Sequence, residues 1–202
     1  MRMDSFEYFI ALTAIILGLG IAHLLAGLGK TVYRVTGNGK PLKLSWVHSL
    51  WVANVFFWMI AYWWYTFGHS SQQEWTFGAY LLMLPFPVLT YLQCVILYPN
   101  EFEDIADLDE YFMSTRRWFF AVMLLAIAAD WLLVFIDPQA MAAYLEHLGW
   151  SVIIVVIYMV VVAIVGSIVQ NTRLHVTMAV GALILGVWQI FDDHPVLGAV
   201  PF

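Results

Sequence analysis

The sequence predicts an all-α polytopic membrane protein: six transmembrane helices in one bundle, with two short amphipathic helices lying at the membrane interface. Three observations carry that expectation. The 202 residues are 63% hydrophobic and 11% charged, with a mean hydropathy of +0.83, far from the balance of a soluble domain. Apolar runs of about 20 residues, the length that crosses the hydrocarbon of a bilayer, recur along the chain. Short connections join them, so residues 1–202 read as a single transmembrane domain.

The first run is Tyr8–Gly29. Arg2 is the only basic residue before it, Asp4 and Glu7 offset that charge, and the run exceeds the core of a secretory signal, so a retained helix is expected. Ala14, Gly18, Ala22 and Ala26 recur every four residues and predict a stripe on which a second helix packs. Beside it, Gly20, His23 and Gly27 lie three and four apart, which turns the imidazole toward protein. The remaining spans are expected at Trp46–Phe67, Phe77–Tyr98, Trp118–Ile136, Ser151–Val169 and His175–Phe191.

Lys30, Arg34, Lys40 and Lys43 fall between the first two spans, Arg116 and Arg117 before the fourth, and Arg173 between the last two. Basic residues resist translocation, so these loops are expected in the cytoplasm and both termini outside, in the plasma membrane or bacterial inner membrane. Interfacial aromatics agree: Tyr62, Trp63, Trp64, Trp75 and Trp150 mark the outer boundary, and Tyr33, Trp46 and Trp118 the inner one.

Two loops read as helical. Asn100 with Glu103 three residues on predicts a cap, and Phe102, Ile105, Leu108 and Phe112 give that segment an apolar side along the cytoplasmic surface. Asp137-Pro138 opens a second, ended by Gly149, with Met141, Tyr144, Leu145 and Leu148 on one face. Gly37-Asn38-Gly39-Lys40-Pro41 is a turn and no phosphate loop, because no strand precedes it and no Gly-Lys-Ser/Thr follows.

The net charge of −6 belongs to loops: six of the fourteen acids lie between Glu101 and Glu110. No basic patch with interleaved aromatics occurs, which leaves nucleic-acid binding without support. The lone Cys94 excludes an intrachain disulfide and any multi-cysteine metal site. No Gly-x-Ser-x-Gly, His-Glu-x-x-His or regular arginine array is present, so an enzyme is not the expectation.

Polar groups within spans are expensive and therefore candidates for function. Asp130 in the fourth span and His23 in the first are the two titratable ones, with Asn54 and Gln93 as relay groups between them. Pro85 and Pro87 remove two backbone donors and predict a break in the third span, the kind of site that lines substrate pathways in transporters. Glu7, Asp192 and Asp193 could join Asp130 in an outer acidic vestibule. No cofactor is called for; haem b held by His23 and His48 is the alternative.

The leading functional expectation is passage of protons, small cations or a small solute across the membrane. The rival is a non-transporting subunit that packs on partner proteins through the first-span stripe and the acidic cytoplasmic segment and binds haem or quinone; copurifying proteins would favour it, and a self-contained homo-oligomer would favour transport. An enzyme acting on lipid head groups near His48, Arg116 and Arg117 ranks third.

Overall fold

The computed structural model describes residues 5–67, 81, 83–136 and 149–193. Its helices are α1 (Ser5–Val35), α2 (Trp46–Phe67), α3 (Pro85–Leu97), α4 (Leu108–Ile136), α5 (Trp150–Ile168) and α6 (Thr172–Asp193), with a 3-10 turn at Phe102–Asp104. Four of them, α1, α4, α5 and α6, are long and apolar enough to cross a membrane, against the six spans expected. The shortfall has a chemical reason in α2, where five tryptophans, two tyrosines, His48 and Asn54 dilute the aliphatic residues of a 22-residue helix. The third expected span, Phe77–Tyr98, lies partly outside the described residues, and α3 is the 13-residue part of it that follows Leu84.

Helix α2 is the hub. It contacts α1, α3, α4 and α6, while α3 sits between α1 and α4, and α5 packs on α4 and α6. Trp51 at its centre is fully buried, with its ring edge-on to Phe119 at 5.4 Å and to Phe120 at 5.2 Å. Edge-to-face contacts of this kind suit the quadrupoles of aromatic rings. Helix backbones approach such rings closely at two glycines: a Cβ at Gly27 would fall 2.2 Å from the Tyr98 ring, and one at Gly166 would fall 2.5 Å from that of Phe120.

Two expectations are corrected. Helix α1 packs into the bundle through Thr13, Leu17, Gly20, Leu24, Gly27, Thr31 and Arg34, all buried at helical spacing. The stripe Ala14, Gly18, Ala22 and Ala26 does not pack there: Gly18, Ala22 and Ala26 are exposed and Ala14 is half-buried. Small residues alone could not choose between the two opposite stripes, and the larger apolar residues Leu17 and Leu24 lie on the one that turns inward.

The second correction concerns residues 100–112, which form no separate surface helix. Asp107 Oδ1 accepts from the backbone N–H of Asp109 at 2.8 Å and Glu110 at 3.3 Å, so it caps α4, which starts ten residues before the expected span. Phe102, Leu108 and Phe112 enter the core instead of resting on a membrane surface. The other expected amphipathic helix, built on Met141, Tyr144, Leu145 and Leu148, lies outside the described residues.

At the prolines the helical backbone is interrupted: Leu81 and Met83 are helical, Leu84 is a bend, and helix resumes at Pro85, the first residue of α3. Pro87 lacks the N–H that would reach back four residues to Met83. The Tyr62 hydroxyl donates to that carbonyl at 3.0 Å, and its ring stacks on Phe86 at 4.5 Å. A side chain of α2 thus satisfies the acceptor that the proline frees.

Candidate functional site at the charged end of the bundle

One end of the bundle gathers the C-terminus of α1, the N-termini of α2, α4 and α6, and the segments 36–45 and 98–107. Arg34 organises it. The last turn of α1 brings its guanidinium into the bundle, where the residue is 6% exposed. Its Nε donates to Lys40 O at 2.8 Å, one terminal nitrogen to Phe102 O at 2.9 Å, and the other to Pro41 O at 2.9 Å and Ile105 O at 2.6 Å. The planar group also lies 5.6 Å from the centre of the Phe102 ring. Five N–H donors on one rigid fork suit this task, because carbonyls of two segments point at a common centre.

Around this clasp the two segments are sewn together. Lys43 N–H donates to Ala106 O at 2.8 Å and Leu108 N–H to Lys43 O at 3.1 Å, a short parallel bridge. Lys40 pairs with Asp104 and Lys43 with Asp107, each at 2.7 Å. Ser45 Oγ donates to Asp109 at 2.8 Å, and Thr172 Oγ1 donates to the other oxygen of that carboxylate at 3.1 Å, which ties α6 to the same end.

The hydrogen bond from Lys43, and its charge, hold the Asp107 carboxyl below its ordinary value, and Lys40 does the same for Asp104. Asp107 in turn raises the Lys43 ammonium. A depressed carboxylate contributes stability above its unfolded value of 3.8, and that contribution goes as pH falls through the folded value. The raised lysine contributes below 10.5 and loses its effect as pH rises through its folded value. Protection of the Lys43 and Leu108 amides from hydrogen exchange is therefore expected to be level between these limits and to fall on acidification below pH 3.8. Unchanged protection factors at pH 2.5 would show that the pairs add nothing to the clasp.

His23 and His48, the residues of the expected proton and haem sites, both meet backbone at this end. His23 Nε2 lies 2.6 Å from Tyr98 O and His48 Nε2 lies 2.9 Å from Leu97 O, so both meet successive carbonyls that the C-terminus of α3 leaves without helical partners. A bis-imidazole haem would have to displace both bonds. His175, buried, stacks on Phe120 at 5.7 Å and meets Val169 O at 2.9 Å through Nε2. Among the described residues no group of three or more His, Cys, Asp or Glu side chains is placed to hold a metal ion.

The other expected site residues stand apart from this end. Asp130 is exposed on the far half of α4. Asn54 is buried and donates to Leu50 O at 2.8 Å and Ala179 O at 3.0 Å, joining α2 to α6, while its Oδ1 has no hydrogen-bond partner. Gln93, on α3, is buried with Nε2 likewise unpartnered. Asp192 is exposed at the end of α6, and the side chains of Glu7 and Asp193 lie outside those described. The residue that sequence reasoning missed as a site is Arg34. Its signal was an arginine in the last turn of an apolar helix, immediately before the Gly37–Pro41 turn that it grips. No protein-family model, no curated protein and no solved structure matches this chain.

Proposed function

We propose that this chain is an integral membrane subunit of six spans, charged end in the cytoplasm, that associates with a second copy of itself through the outward stripe of α1. The observation that carries the reading is the exposure of Gly18, Ala22 and Ala26 on a helix whose opposite stripe is fully engaged in its own bundle. A Cβ at Gly18 would meet nothing within 4 Å. Small residues at four-residue spacing let two helices approach to backbone contact, and such a stripe complements its own copy across a two-fold axis. The interior supports the same reading, because Trp51, Phe119 and Phe120 fill its centre and His23 and His48 are engaged with backbone carbonyls.

Sizing with light scattering in mild detergent tests it. The native chain is expected as a dimer, and Gly18→Leu with Ala22→Leu as a monomer of unchanged melting temperature. A monomeric native chain, or a dimer indifferent to both substitutions, would overturn the reading.

Transport of protons or a small solute is the second reading, favoured by the unpartnered Asn54 Oδ1 and Gln93 Nε2 at mid-helix. It requires proteoliposome flux above empty vesicles that falls in Asn54→Leu and Asp130→Asn. Flux no greater than that of empty vesicles removes it.

A further inference from the structure

A groove of about 360 Å³ runs between α4 and α5 at the charged end, lined by Arg117, Ala121, Leu124, Ser167 and Ile168. Arg117, Ala121 and Leu124 follow one another at helical spacing on α4. At a rise of 1.5 Å per residue, Leu124 therefore lies about 10 Å deeper than Arg117. Polarity changes along the groove, from a guanidinium and a hydroxyl at the end of the bundle to aliphatic carbon further in.

The charge at its mouth is unspent. Lys40 and Lys43 are paired with carboxylates, and Arg34 and Arg116 donate to backbone carbonyls. Arg117 is exposed and makes no hydrogen bond or ion pair among the described residues. Ser167 sends its hydroxyl proton to Ile164 O at 2.7 Å, so Arg117 is the groove's side-chain donor. Arg173, also exposed, follows six residues after Ser167 across the α5–α6 turn and adds positive charge at the same end. The nearby carboxylate of Asp109 is engaged by Ser45 and Thr172. Trp118, beside Arg117, is 72% exposed, the disposition of an indole at headgroup level.

We propose that this groove holds one anionic phospholipid of the cytoplasmic leaflet, its phosphate on Arg117 at the mouth beside Ser167 and Ile168, and one acyl chain along Ala121 and Leu124. A free phosphate would engage the guanidinium alone and leave the aliphatic length unfilled, whereas a phospholipid occupies both. Unbalanced arginines at the mouth favour a net negative headgroup over a zwitterionic one. The inference rests on the membrane residence of α4 and α5, and it is independent of self-association through α1.

Native mass spectrometry of the full chain, released from neutral detergent and titrated with dioleoylphosphatidylglycerol, dioleoylphosphatidylcholine or inorganic phosphate, tests it. The expected result is one retained phosphatidylglycerol, with phosphatidylcholine bound more weakly and inorganic phosphate not retained. Arg117→Gln is expected to weaken phosphatidylglycerol about fivefold, the scale of one basic residue at an anionic surface. Leu124→Trp, which fills the aliphatic half, is expected to weaken it as well, and Lys30→Gln on α1 to leave it unchanged. Retention undiminished in Arg117→Gln and Leu124→Trp, an equal loss in Lys30→Gln, or inorganic phosphate binding as well as the lipid would overturn the site. Carbonate extraction of the expressed chain from membranes separates this failure from a failure of membrane residence.

Discussion

Arg34→Ala is expected to destabilise the protein by about 3 kcal/mol, the scale for losing a charged donor and leaving buried carbonyls without partners. Truncation leaves the carbonyls of Lys40, Pro41, Phe102 and Ile105 turned toward a void that one guanidinium had filled. Two of these carbonyls belong to the segment after α1 and two to the segment before α4, so their loss uncouples segments more than 60 residues apart in sequence. Arg34→Lys should recover only part of the loss. An ammonium has three donors on a point charge and cannot reach four carbonyls in the plane of a fork. Thermal unfolding in mild detergent, followed by circular dichroism, checks both variants. Melting temperatures within a degree of the native chain would show that the surrounding ion pairs carry the clasp without Arg34.

Trp51→Ala is the second large effect, expected at about 3 kcal/mol, the lower end of the range for buried aromatic truncations in water-soluble cores. Its size follows from the place of Trp51 on the hub helix, where it is wholly enclosed and touches two rings of α4. The lower end applies because the helices of an unfolded membrane protein remain in lipid or detergent. The transfer of apolar surface out of water therefore contributes little, and the lost term is contact in a close-packed interior. Trp51→Phe should restore most of it, since a smaller ring keeps edge contacts with Phe119 and Phe120 and removes an indole N–H that has no hydrogen-bond partner. Equal destabilisation by Ala and Phe, measured by the same melting experiment, would mean that the indole N–H matters and the ring packing does not.

The two substitutions mark the limits of reading this chain in one dimension. Trp51 lies in a span that the sequence identifies by its apolar length, but its burial is set by the fold, since Trp46 and Trp63 of the same helix are exposed. Arg34 reads as one more basic residue of a loop, because nothing local shows that four carbonyls from two distant segments converge on it. The same difference separates His23 and His48 as expected from the same residues as found. Spacing turned His23 toward protein correctly, but its acceptor is the carbonyl of Tyr98, which ends a helix 75 positions away.

What the one-dimensional pattern determines is the helical class, the apolar segments and the clustering of basic residues on alternate loops. Each follows from summing properties of neighbours in sequence: hydropathy over a helical length, propensity over a turn, and charge over a loop. Tertiary structure alone decides which of two opposite stripes on α1 turns inward, that Phe102 and Phe112 enter the core, and that Tyr62 answers the carbonyl freed by Pro87. Those outcomes depend on shape and on the direction of individual donors, which local chemistry leaves degenerate until the helices meet.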